Sequence, residues 1–252
     1  ETKMIAGLEI PKSSLLSKLS LLFVAVGIAA LIYWSTLFQL DPGRAMFGYL
    51  YGFIVVITLG LGSLVFVLIQ HVTRAGWSVA VRRLPETAIA VLPLFILLFI
   101  PIALFRHDIF PWTHTDHIDA ILAKKLGYLN EPFFLIRSFS YLILWAIMGQ
   151  WFYRSSVAQD VGGKFNITRI NQALSAPAII IFGLSITFAG FDWVMSLQPH
   201  WYSTIFGVYF FAGSLLFGLA FMTLMAMLLQ SIGLLKNVIT GDHYHDLGKR
   251  SE

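Results

Sequence analysis

The stretch Ala189–Ala220, AGFDWVMSLQPHWYSTIFGVYFFAGSLLFGLA, decides how the chain is read. Two long apolar runs meet in it across a short polar turn, SLQPHW. Pro199 cannot continue a helix, and Trp201 and Tyr202 favour the headgroup layer, so the hairpin should turn at a membrane surface. Asp192 sits inside the first run, shortly before that turn. A carboxylate there costs on the order of 3 kcal/mol on insertion scales, which makes it a functional candidate by default.

The rest of the composition agrees with a membrane setting. Of 252 residues, 58% are apolar and only 12% charged, a balance typical of polytopic membrane proteins. With no cysteine at all, disulfides, thiolate zinc sites, cysteine-ligated iron–sulfur clusters and C-x-x-C-H haem attachment are ruled out. Ile5–Pro11 is too short an apolar stretch for a signal peptide and no small-residue cleavage site follows it. The net charge of +4 would suit nucleic acid, but the basic residues gather at one end of the predicted spans instead.

Working outward from the hairpin predicts an all-α, polytopic transmembrane helix bundle of about six spans. A polar segment, residues 1–18, leads into the bundle over residues 19–235, and a polar tail covers 236–252. The predicted spans are Leu19–Leu40, Met46–Ile69, Thr87–Phe105, Phe133–Tyr153, Pro177–Leu197 and a long sixth segment, Tyr202–Leu235. Pro93 and Pro101 predict a kink in the third. Gly48 and Gly52 in the second form a small-xxx-small pair suited to close helix packing. Gln70–Glu86 reads as a basic loop, and Arg154–Ala176, with Gly162-Gly163, as another.

Orientation follows from the basic residues. Lys3, Lys12, Lys18, Arg74, Arg82, Arg83, Arg154, Lys164, Arg169, Lys236, Lys249 and Arg250 share one side, and Arg44, Arg106, Lys124 and Lys125 the other. Twelve against four predicts that both termini are cytoplasmic and that the Asp192 hairpin faces outward.

Few residues remain to carry chemistry. The seven histidines lie in polar segments or at span edges, which argues against buried bis-histidine haem and predicts a chain with no cofactor of its own. His114-x-x-His117 with Asp116 and Asp119 resembles a metal cluster at first sight, but so short and common a pattern reads as a solvated outer loop, and Asp242-His243-Tyr244-His245-Asp246 is read the same way. Glu86 beside Arg82 and Arg83 reads as an ion pair at a helix start rather than a proton acceptor. Arg137 and Asp192 both lie inside apolar runs at matching depth on antiparallel neighbours, and should meet. They could be a structural ion pair or a station on a proton path, and the second role would need a titratable or hydroxyl neighbour such as His200 or Ser203.

Three segments here are similar to a known family. Phe191–Gly207, FDWVMSLQPHWYSTIFG, resembles the turn between the fifth and sixth helices of ActF-type subunits of bacterial alternative complex III, a quinol:electron acceptor oxidoreductase. Tyr128–Arg137, YLNEPFFLIR, resembles the start of their fourth helix, and Asp242–Lys249, DHYHDLGK, their link toward a seventh. The resemblance implies an NrfD/PsrC-like bundle, of about ten helices in that family, in the bacterial inner membrane. Family members continue past the position of Lys249 with roughly four more helices, which these 252 residues do not contain. It implies a subunit without haem or cluster that supports quinol oxidation and is a candidate for proton conduction. Its implied partners are an ActC-like quinol-binding membrane subunit, an iron–sulfur subunit, a multihaem subunit carrying haem c, and a terminal oxidase. A quinone-binding NrfD-like subunit, a secondary transporter with inverted repeats and broken helices, and a structural anchor are the competing readings.

Overall fold

The computed structural model of the chain describes residues 15–75, 82–114, 119–162 and 165–232. Among these residues it is all-helical, and six helices are long and apolar enough to cross a membrane. Apolar side chains predominate on both the lipid-facing and the buried surfaces, as expected where the solvent itself is hydrocarbon.

Helix α1 (Leu15–Leu40) leads into α2 (Pro42–Val72) through Asp41, whose side chain accepts from the Arg44 N–H while Pro42 opens the new helix. Both features suit a helix N-terminus, where the first N–H groups need acceptors and a proline loses nothing. Helix α2 is the centre of the molecule. Its most apolar window is 61% buried, and it packs on α1, on α3 (Arg83–Ile89), α5 (Ile100–Leu104) and α6 (Arg106–Ile109), and on the three long helices that follow. Those are α8 (Glu131–Gly162), α9 (Phe165–Trp193) and α10 (Phe206–Ser231). The third span is broken into α3, α4 (Leu94–Leu98) and α5, with Pro93 capping α4 and Pro101 in the first turn of α5. The short α7 (Ala120–Lys125) lies in the polar segment before α8.

Four expectations need correction. Residues 154–162 and 165–176 are helical rather than a loop, so α8 and α9 run well past the apolar stretches. Their polar residues bond across the helix pair: Trp151 Nε1 donates to Asn171 at 3.2 Å, Asn171 Nδ2 to Ser155 at 2.8 Å and Gln159 Nε2 to Thr168 at 2.9 Å. Gln70 and His71, expected in a loop, complete the last turns of α2 and are buried. The sixth helix begins at Phe206 rather than Tyr202 and runs to Ser231, and residues 233–235 of the expected segment lie outside the described residues.

The fourth correction concerns glycine packing. A Cβ built on Gly48 or Gly52 meets nothing within 4 Å. These glycines instead line an apolar crevice of about 490 Å³ between α1 and α2. The close crossing is made by Gly62 of α2 against α10, where an added Cβ would lie 1.9 Å from the Ser214 carbonyl oxygen and 3.1 Å from Gly218 Cα. Helix α1 is anchored mainly near its C-terminal end, where Trp34 Nε1 donates to the Ala45 carbonyl at 3.0 Å and Phe38 meets Phe105 edge-on.

Candidate functional site

Two stretches 55 residues apart meet at the hairpin end of the bundle. Helix α8 starts at Glu131, so Arg137 lies under two turns inside it. Asp192 lies in the last turn of α9, which runs the opposite way. Arg137 grips the carboxylate with two nitrogens, Nε to Oδ2 at 2.9 Å and Nη2 to Oδ1 at 2.7 Å. Its third nitrogen, Nη1, donates to the Tyr128 carbonyl at 3.0 Å. The guanidinium also lies between two rings, 3.8 Å from the Tyr128 centroid and 4.2 Å from that of Phe133. Two parallel N–H···O bonds and two aromatic faces are what a planar guanidinium provides and a lysine ammonium would not.

Asp192 is fully buried, and Arg137 is 8% exposed. Besides Arg137, the carboxylate accepts from the Tyr141 hydroxyl at 3.0 Å. The backbone carbonyl of Asp192 accepts from Ser196. Next to it, Trp193 is completely buried, donates to Ser138 at 3.0 Å and sits edge-on to Phe53 and Trp145. Trp145 in turn donates to Ser185 at 2.8 Å. The pair is therefore desolvated yet paired and hydrogen-bonded, the one circumstance in which buried charges are tolerated.

Tyr128, just outside the span, has its hydroxyl buried with no hydrogen bond of ordinary geometry. Burial and the neighbouring Asp192 charge push that hydroxyl well above the usual phenol range. Tyr128 and Ser196 also line a cavity of about 280 Å³ with Lys125, Phe191, Trp201 and Tyr202. Neither tyrosine stood out in the sequence, because a tyrosine among apolar residues is ordinary and only the helix register shows which ones face Asp192.

The other expected neighbours of Asp192 lie elsewhere. His200 is exposed and pairs with Asp119 at 2.8 Å, and no bond joins it to Asp192. Asp119 caps α7 by accepting from the Leu122 N–H, and that bond, reinforced by His200, lowers its pKa. Ser203 is half-buried and offers its carbonyl to the Phe206 N–H. His107, His114 and His200 line a wider cavity of about 480 Å³ at the same end, and Arg106 closes an ion pair with Glu131 at the start of α8. Among the described residues, no three His, Asp or Glu side chains converge as metal ligands. Asp116, His117 and Asp242–Asp246 lie outside them.

At the opposite end, Glu86 is buried and bracketed by Arg82 at 3.1 Å and Arg83 at 3.5 Å, and accepts from Ser156 at 2.6 Å. It is thus an ion pair at the start of a span, tied to α8 as well. Between the two ends lies an apolar layer that includes Phe182 and Met148. Searches of known protein families and of characterised proteins found no match to this chain.

Proposed function

We propose that this chain is a cofactor-free membrane subunit of a quinol:electron acceptor oxidoreductase of the alternative complex III type. In this reading it lies in a bacterial inner membrane with both termini cytoplasmic. It packs beside an ActC-like quinol-binding subunit, and electrons leave through iron–sulfur and haem c partners toward a terminal oxidase. The observation that carries the reading is convergence. The segment Tyr128–Arg137 and the segment Phe191–Gly207, which resemble that family, fold into one site. Tyr128, Phe133 and Arg137 come from the first, and Asp192 and Ser196 from the second.

The site's chemistry assigns it a holding role first. Arg137 and Tyr141 engage both oxygens of the Asp192 carboxylate, so a mobile proton carrier would first have to break bonds that hold the two helices together. Any proton handling in this region would have to pass through Tyr128 or Tyr141, which face the carboxylate, and not through His200. A second reading is favoured by the cavity of about 280 Å³ beside Tyr128, whose lysine, serine and aromatic lining could hold a quinone headgroup in this chain itself. Deleting the chain tests the main reading. Membranes that lack it should lose quinol-dependent reduction of the electron acceptor and regain it on re-expression. Unchanged turnover would overturn the proposal. A photoreactive quinone that labels Tyr128 or Tyr202 in the intact complex would favour the second reading.

A further inference from the structure

At the end of the bundle opposite the ion pair, α2 carries polar side chains whose needs are not met among the described residues. Gln70 is 3% exposed and His71 5%. Gln70 Oε1 and Nε2 and His71 Nε2 are buried and have no hydrogen-bond partner among the described residues. Buried polar groups in folded proteins are almost always paired, so three such atoms on two adjacent residues require an occupant. A polar cluster lies within about one helical turn. The His71 ring lies on Phe152 of α8, with centroids 5.3 Å apart. One turn further along α8, Ser156 donates to Glu86, which Arg82 and Arg83 bracket.

The position also fits. Gln70 lies 28 residues beyond Pro42, about 42 Å along the helix at 1.5 Å per residue. A hydrocarbon core is about 30 Å thick, so with the hairpin end at one surface Gln70 lies at headgroup depth on the other, where water is plentiful. The occupant must be small and must both donate and accept. The amide offers an acceptor oxygen and a donor nitrogen, and the imidazole a third polar atom, a set within the two to four partners a buried water takes.

We propose that Gln70 and His71 form a hydrated site, water held between α2, α3 and α8 beside the Glu86–Ser156 contact. Solvent thereby reaches an ionisable cluster inside this end of the bundle, whereas the Arg137–Asp192 pair at the other end is already saturated by protein groups. The site goes beyond the proposed function and does not depend on it.

Two measurements on the full chain in lipid test it, and neither involves quinol or partner subunits. Radiolysis turns bound water into hydroxyl radicals in place, so buried rings beside such water are labelled. Phe152, which touches His71, should be labelled at least fivefold faster than Phe182, a ring of the same kind buried in the dry layer. Equal rates would overturn the site. Gln70→Leu provides the second measurement. If Gln70 binds water, the substitution breaks satisfied bonds and lowers the unfolding midpoint by about 2–4 °C. If Gln70 is bare, removing its amide raises the midpoint, and that result would overturn the site.

Discussion

Arg137 uses three of its nitrogens on protein acceptors, and Asp192 takes three donors. Removing one partner therefore strands the other in a dry site. Asp192→Asn or Arg137→Met should each cost on the order of 3–5 kcal/mol of unfolding free energy in detergent, and Tyr141→Phe about 1.5–3 kcal/mol. If Asp192→Asn leaves stability unchanged and only slows quinol turnover, the holding role is wrong and the acid carries protons. Asp119 makes a pH prediction. Its carboxyl titrates below the ordinary range because it accepts from the Leu122 N–H and pairs with His200. Its contribution to stability is therefore complete above the ordinary carboxylate range and fades as pH falls through the depressed value. Protection of the Leu122 amide from hydrogen exchange should fall in that acid window, and Asp119→Asn should abolish the pH dependence. Of these residues, Arg137 and Asp192 were legible because each is a lone charge in an apolar run. Tyr128 and Tyr141 were not, because facing a carboxylate is a matter of register.

Helices record the same division. The spans themselves followed from apolar length, and the kink in the third from its prolines. The ends of α2, α8 and α9 did not, because polar residues such as Asn171 and Ser155 look like loop residues until a neighbouring helix supplies partners. Glycine spacing was misleading in a similar way. Gly48 and Gly52 have the four-residue spacing of a packing motif, but that face of α2 is open, and the close approach falls to Gly62 and Gly218. Gly62→Ala would drive a methyl group into the Ser214 carbonyl, a backbone atom that cannot swing aside. It should destabilise by about 1–3 kcal/mol and loosen α10. Gly52→Ala adds a methyl in open space and should leave the unfolding midpoint unchanged or slightly raised, since alanine is the better helix former. Thermal unfolding of the two variants side by side checks the contrast, and equal losses would contradict it.

Over the whole molecule, an all-helical bundle with six helices fit to cross a membrane was legible from composition and run length. Which helix sits in the middle was not. The hairpin dominates the sequence, yet α2 is the helix the others pack around, because an apolar run buried against protein over much of its surface reads the same as one facing lipid. Orientation remains a prediction from the twelve-to-four basic asymmetry. In this naturally cysteine-free chain, Ser78→Cys should react with an impermeant thiol reagent only from the cytoplasmic side, and Thr115→Cys only from outside. The reverse pattern would invert the topology. The claim that the chain belongs to a quinol-oxidising assembly is tested most directly by tagging it in its native membrane, extracting it gently and recording what remains bound. The account predicts a complex with the absorption of haem c, iron–sulfur signals and quinol-dependent acceptor reduction. A colourless chain that purifies alone, from membranes that retain those activities in a separate fraction, would contradict it.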